Sequence, residues 1–99
     1  MTGTKTALAT YVATLSNGET VHRNSAAREY THVVEATPTV DGVTAAVSWH
    51  AGLAAARQAA ATASARKFYT AVALRPVARL PYDSPEALAV RDAALRKVR

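Results

Sequence analysis

Apolar and polar positions change period twice between Val43 and Val77, and the rest of the chain can be arranged around that change. Val43, Ala45, Val47 and Trp49 alternate with Thr44, Ala46 and Ser48, the period of a half-buried strand. From Ala51 to Arg66 alanine dominates, with no proline and Thr62 as the one β-branched residue, which predicts a helix. Alternation resumes at Phe68, Thr70, Val72 and Leu74, with Ala71 and Ala73 between them. A strand apolar on both faces belongs inside a sheet. A helix of this length spans roughly 24 Å, and a seven-residue strand spans roughly 23 Å. One helical pass therefore returns the chain to the start of a parallel neighbour, a right-handed βαβ crossover. Leu53 is the one large apolar residue of the helix, and Ala56, Ala60 and Ala63 continue its face. A bulky side chain such as Trp49 or Phe68 is expected to fill the space beside so many alanines.

Before this unit the pattern is that of strands. Lys5 to Ser16 alternates and is rich in Thr, Val and Tyr. Asn17-Gly18 then joins it to Glu19–Arg23, a strong signal for a two-residue hairpin turn that pairs Leu15 with Thr20 and Ala13 with His22. Asn24–Ala27 reads as a loop or a single helical turn. Arg28 to Ala36 is a third strand, with Tyr30, His32, Val34 and Ala36 on one face and Glu29, Thr31, Val33 and Glu35 on a wetter one. Pro38 ends it or marks an edge, and Asp41-Gly42 turns the chain into Val43–Trp49.

After the unit, Pro76, Pro81 and Pro85 impose an extended connector over residues 76–83. Ser84-Pro85-Glu86 is a helix start, with a capping serine, proline at the first position and an acid in the first turn. The helix covers residues 84–98. Leu88, Leu95 and Val98 form a narrow apolar stripe that has to dock, and Arg96, Lys97 and Arg99 suit the negative end of the helix dipole. These elements predict one α+β domain over residues 1–99. It is a two-layer fold with a mixed five-stranded sheet, built from two β-hairpins and the βαβ crossover. The Ala-rich helix and the C-terminal helix cover one face, and Thr10, Thr14, Thr31 and Thr44 leave the other polar.

Charge changes this picture more than length does. The net charge is +5. Residues 42–82 hold Arg57, Arg66, Lys67, Arg75 and Arg79 without an acid, whereas residues 1–41 are nearly balanced. A basic block favours an anionic partner. With Phe68, Tyr69 and Tyr82 it could form a nucleic-acid surface, although no helix-turn-helix, RNP-like or zinc-finger pattern accompanies it. Trp49-His50, where a strand meets a helix N-terminus, is the other site-like position. The competing reading is that Trp49 fills space in the core. Candidate partner- or anion-binding residues are therefore Trp49, His50, Arg57, Arg66, Lys67, Tyr69, Arg75 and Arg79.

Other chemistry is poorly represented. The chain has no cysteine, which excludes disulfides and thiolate metal sites and fits a cytoplasmic setting. His22, His32 and His50 lack metal-ligand spacing, so no metal is expected. Ser48 with His50, or Ser25 with His32, can be drawn as a nucleophile pair, but there is no G-x-S-x-G elbow. The glycines are isolated, so there is no phosphate-binding loop, and no cofactor is expected. Met1–Lys5 lacks the features of a signal peptide. The longest uncharged run, from Gly42 to Ala56, is too short to span a membrane.

Heavy use of Ala, Arg, Val and Thr, with little Lys, Ile or Asn, looks like the coding of a high-GC actinobacterium or its phage. Gly18–Arg23 leading to Arg28–Val34, and Ser48-Trp49-His50 before an Ala-rich helix, resemble small uncharacterised proteins of actinobacteria and their phages. The resemblance covers about half the chain and implies no activity. The expectation is a small basic non-enzymatic protein that binds a macromolecule, a phage accessory or host-modulating factor. A nucleic-acid-binding protein using the basic 57–79 region and a structural or assembly subunit are the alternatives. The expected partner is a protein, with nucleic acid and a homodimer also in view and no membrane.

Overall fold

The computed structural model describes residues 7–97. The start of the predicted first strand at Lys5, the N-terminal segment and Val98 of the C-terminal stripe lie outside them. Strand β1 (Ala9–Thr14) pairs antiparallel with β2 (Thr20–Ser25), but one residue away from the predicted register. Ala13 faces Val21 rather than His22. The loop has three residues: Gly18 N–H donates to Leu15 O (2.9 Å), and Leu15 N–H donates to Glu19 O (2.8 Å). Only Gly18 takes a positive φ, +88°, as expected for a turn closed by a bulge. Asn17 instead accepts the Glu19 N–H on Oδ1 at 2.9 Å. The reason for the shift lies in the core. Ala13 and Leu15 are buried, and this register sets Val21 beside them while sending His22 to the opposite face.

Strand β3 (His32–Pro38) pairs antiparallel with β4 (Ala45–His50) on one side and with β5 (Tyr69–Pro76) on the other. Helix α1 (Leu53–Ser64) joins β4 to β5. The two flanking strands are parallel to each other, as a crossover requires, but β3 lies between them. The predicted neighbouring βαβ pair is therefore corrected. So is the place of β5, which is an edge of its sheet, with Thr70, Ala71 and Ala73 exposed. The central strand is β3, where Val33, Val34, Glu35 and Ala36 are all buried.

A short strand, β6 (Ala78–Pro81), falls inside the proline-containing connector and pairs antiparallel with β1. There are thus two antiparallel three-stranded sheets, β2-β1-β6 and β4-β3-β5, and not the mixed five-stranded sheet predicted. Val77 alone separates β5 from β6, so the chain passes from one sheet to the other at that residue, and its N–H donates to Thr31 O (2.9 Å). Helix α2 (Pro85–Lys97) follows. Its first turn is capped by Ser84 Oγ, which accepts the Ala87 N–H at 3.2 Å.

The helices do not share a face. Helix α1 covers the second sheet and buries Ala56 and Ala63, whereas α2 lies against β2 and β6 of the first and buries Ala87. Between the sheets Ala13, Leu15 and Val33 form the core, with Val21, Ala46, Trp49 and Val77 against it. Trp49 fills space there as one reading expected, but Phe68 is 56% exposed and does not. On α1 the alanines of the predicted face, Ala56 and Ala63, do the docking, while the leucines of both helices turn outward: Leu53 is 42% exposed, Leu88 53% and Leu95 69%. Alanines let a helix lie close to a sheet, and in a molecule only 16 Å through its shortest dimension there is little room beneath for a larger side chain.

Glu35 is the other correction. It shares the Val33 face of β3, predicted to be wet, but that face meets the end of β1 and Glu35 is buried. Ser16 N–H donates to Oε1 at 2.8 Å and the Ser16 hydroxyl donates to Oε2. Arg75 Nε stands 4.0 Å from Oε1 and donates to Thr14 O at 2.9 Å. A buried carboxylate is tolerable only with such partners, and here they tie the two sheets together.

Candidate functional site

The predicted binding residues fall in five places. Trp49 is half-buried against the core, its ring edge-on to Tyr30 at 5.9 Å. His50 ends β4 and is held by Ser48 Oγ through Nε2 at 2.7 Å. Arg57 is exposed on the first half of α1. Arg75, on β5, is partly exposed and reaches Thr14 O and Glu35, and Arg79 lies on β6 of the other sheet, where Nη2 donates to Ala7 O (3.4 Å). Arg66, Lys67 and Tyr69 do come together, just beyond the end of α1. The basic block is contiguous in sequence but not in space.

The cluster around Arg66 and Lys67 has a defined setting. Thr39 N–H donates to Phe68 O at 2.8 Å, and the Thr39 hydroxyl to the same oxygen at 3.1 Å. These bonds join the β3–β4 turn to the α1–β5 turn at one end of the second sheet. Phe68 packs edge-on against Tyr69 at 4.8 Å. Val40, 88% exposed, and Val43, also exposed, stand on the neighbouring turn, which Gly42 closes at φ +67°. The sequence pointed to the cations and Tyr69. It gave no sign that two valines from another turn would join them, because that depends on the pairing of β3 with β5.

A second arrangement involves none of the predicted site residues. It lies between β2 and α2, on the outer face of the first sheet. Thr10, predicted to face water, is fully buried there. Arg91 Nη1 donates to Thr10 Oγ1 at 2.7 Å and to Tyr82 O at 2.9 Å, and the guanidinium stacks 3.8 Å from the Tyr82 ring centre. The Thr10 hydroxyl in turn donates to Asn24 Oδ1 at 2.7 Å. Beside this chain of bonds is a cavity of about 450 Å³, lined by His22, Asn24, Arg91, Ala94 and Leu95. Burial, and after it the positive charge of Arg91, pushes the His22 imidazole below its ordinary pKa. Arginine on a helix that is otherwise read for its leucines was the available signal, and the one-residue hairpin shift is what delivers His22 and Asn24 to it.

Among the described residues no group of three or more His, Cys, Asp or Glu side chains could hold a metal. No described helix is long and apolar enough to cross a membrane. Comparison with protein-family models, curated proteins and solved structures finds no match to this chain.

Proposed function

We propose that this chain is a small non-enzymatic binding protein whose partner is another protein, docked at the end of the second sheet that carries Phe68. The observation supporting it is the exposure of Phe68, Val40 and Val43 on two turns joined by hydrogen bonds, rimmed by Arg66 and Lys67. A rigid aromatic anchor with apolar neighbours and a charged rim is the anatomy of a protein-binding patch. The rim suits a partner segment with apolar and acidic residues. A cytoplasmic accessory or host-modulating role in an actinobacterium or phage is part of this reading, and the composition supports it.

Nucleic acid is the second reading, favoured by the aromatic pair Phe68–Tyr69 beside two cations. Capture from lysate by the wild type and by a Phe68→Ser, Val40→Ser variant, with and without nuclease, separates the two. Proteins held after nuclease treatment and lost by the variant support the proposal. Recovery that depends on nucleic acid and falls steeply with salt supports the second reading. Identical capture by both proteins overturns the assignment to this end of the sheet. Association of the chain with itself alone would point to an assembly subunit.

A further inference from the structure

We infer that the cavity between β2 and α2 binds a monocarboxylate with a short apolar body, a site separate from the Phe68 end and independent of it. The inference rests on the direction of the hydrogen bonds. Arg91 donates to Thr10, and Thr10 donates to Asn24 Oδ1. The chain of bonds therefore uses the acceptors and leaves donors. The Asn24 amide is fixed with Oδ1 occupied, so its Nδ2 group remains as a donor. Arg91 spends one nitrogen on Thr10 and Tyr82, and no acceptor for Nη2 or Nε is found among the described residues. A neutral His22 adds one donor and one acceptor, so the surplus of donors comes from Arg91 and Asn24. A wall rich in donors and poor in acceptors complements a ligand that only accepts, and an ionised carboxylate is such a group.

Charge agrees with this. Among the described residues no carboxylate lies within ion-pair distance of Arg91, whereas Arg75 and Arg96 each have one. A partly buried guanidinium without a counter-charge is incomplete, and its planar fork matches a carboxylate. Thr10 and the Tyr82 ring hold it in place, so little side-chain freedom is lost on binding. One full positive charge against the apolar Ala94 and Leu95 favours a monoanion with a small hydrocarbon part over phosphate. The carboxylate can belong to a free short-chain acid or to the C-terminus of a peptide.

The test is NMR of the full chain, titrated with butyrate, with a peptide ending in Ala-Leu, with the same peptide amidated, and with inorganic phosphate. The expected result is saturable shifts of the Asn24 side-chain amide and the Arg91 Nε–H, with a rise in the His22 pKa as the anion offsets Arg91. Saturation by butyrate identifies free acids as sufficient. Saturation by the free peptide but neither its amide nor butyrate identifies the peptide terminus. Arg91→Gln should weaken binding by about tenfold or more, as loss of a charged hydrogen-bond donor does. Because that change can loosen α2, Leu95→Glu is the companion variant. Its own carboxylate should raise the His22 pKa without added ligand and block butyrate and peptide alike. No saturable shift with either carboxylate, equal binding of phosphate or of the amidated peptide, or unchanged binding in Leu95→Glu overturns the inference.

Discussion

The two halves of this molecule have the same parts, three antiparallel strands and one helix, and attach the helix in different ways. In the second half α1 lies on β4-β3-β5 through Ala56 and Ala63, and among the described residues no side-chain hydrogen bond joins it to the sheet. In the first half α2 buries Ala87, and Arg91 then reaches the sheet through Thr10. An alanine interface works by closeness and dispersion and leaves little space. An arginine interface needs satisfied hydrogen bonds. The cavity is found beside the second kind. Helix docking by small residues closes a surface, while docking through a long polar side chain leaves room next to it for a ligand.

The seam between the halves should give the largest effect. Glu35→Ala leaves the Ser16 N–H and hydroxyl without their acceptor, and Arg75 without its nearest carboxylate. Loss of a hydrogen-bond acceptor of this charged type costs about 2–3 kcal/mol. Chemical denaturation should show that loss, with Glu35→Gln falling less. Wild-type stability in the alanine variant would mean that the sheets are joined by the apolar core alone.

The alanine interface comes next. Ala56→Leu forces a larger side chain between α1 and the sheet, which costs about 2 kcal/mol by overpacking. Thermal melts should show the loss, and a stabilised variant would mean that α1 lies over a void. For the arginine interface, Thr10→Val removes both the acceptor of Arg91 and the donor to Asn24 while keeping the shape. The expected cost is about 1–2 kcal/mol. If valine is tolerated at no cost, the polar chain does not anchor α2 and the contrast between the halves fails.

His22 sharpens the comparison through pH. Its folded-state pKa lies below that of the unfolded chain, because of burial and then Arg91. Near and below the unfolded value the unfolded state therefore binds more protons. The stability is complete above the unfolded pKa and is lost as pH falls through it toward the folded value. Melting temperature should drop from about pH 7.5 to about pH 5, and His22→Gln should reduce that drop. An unchanged slope in the variant would place the titration elsewhere. The smallest effects are expected where the helices turn outward. Leu53→Ser and Leu95→Ser should each change stability by less than about 0.5 kcal/mol, as surface substitutions do. A large loss at either leucine would show that it is covered in solution by a second copy.

Much of the local structure was legible in the residues themselves. The two helices, the hairpin turn at Asn17-Gly18, the cap at Ser84 and most strand positions follow from turn chemistry, period and capping. Each of these involves residues a few positions apart. What could not be read was which strands pair and in which register. Whether β5 lies beside β4 or across β3 is decided by burial summed over the whole fold, and both choices satisfy the same helix length. The hairpin register moved by one residue because Val21 fits the core better than His22, a preference that exists only once Leu15 and Val33 have met. Glu35 looked solvent-facing because Glu29 and Thr31 share its predicted face, and its partner Ser16 is 19 residues away. The Arg91–Thr10 contact joins residues 81 positions apart. Sequence alone determined the two helices and five of the six strands, since they depend on neighbours, whereas β6 is a strand only because β1 pairs with it. The tertiary structure decided strand order, the seam and the cavity, since each brings together side chains that have no relation along the chain.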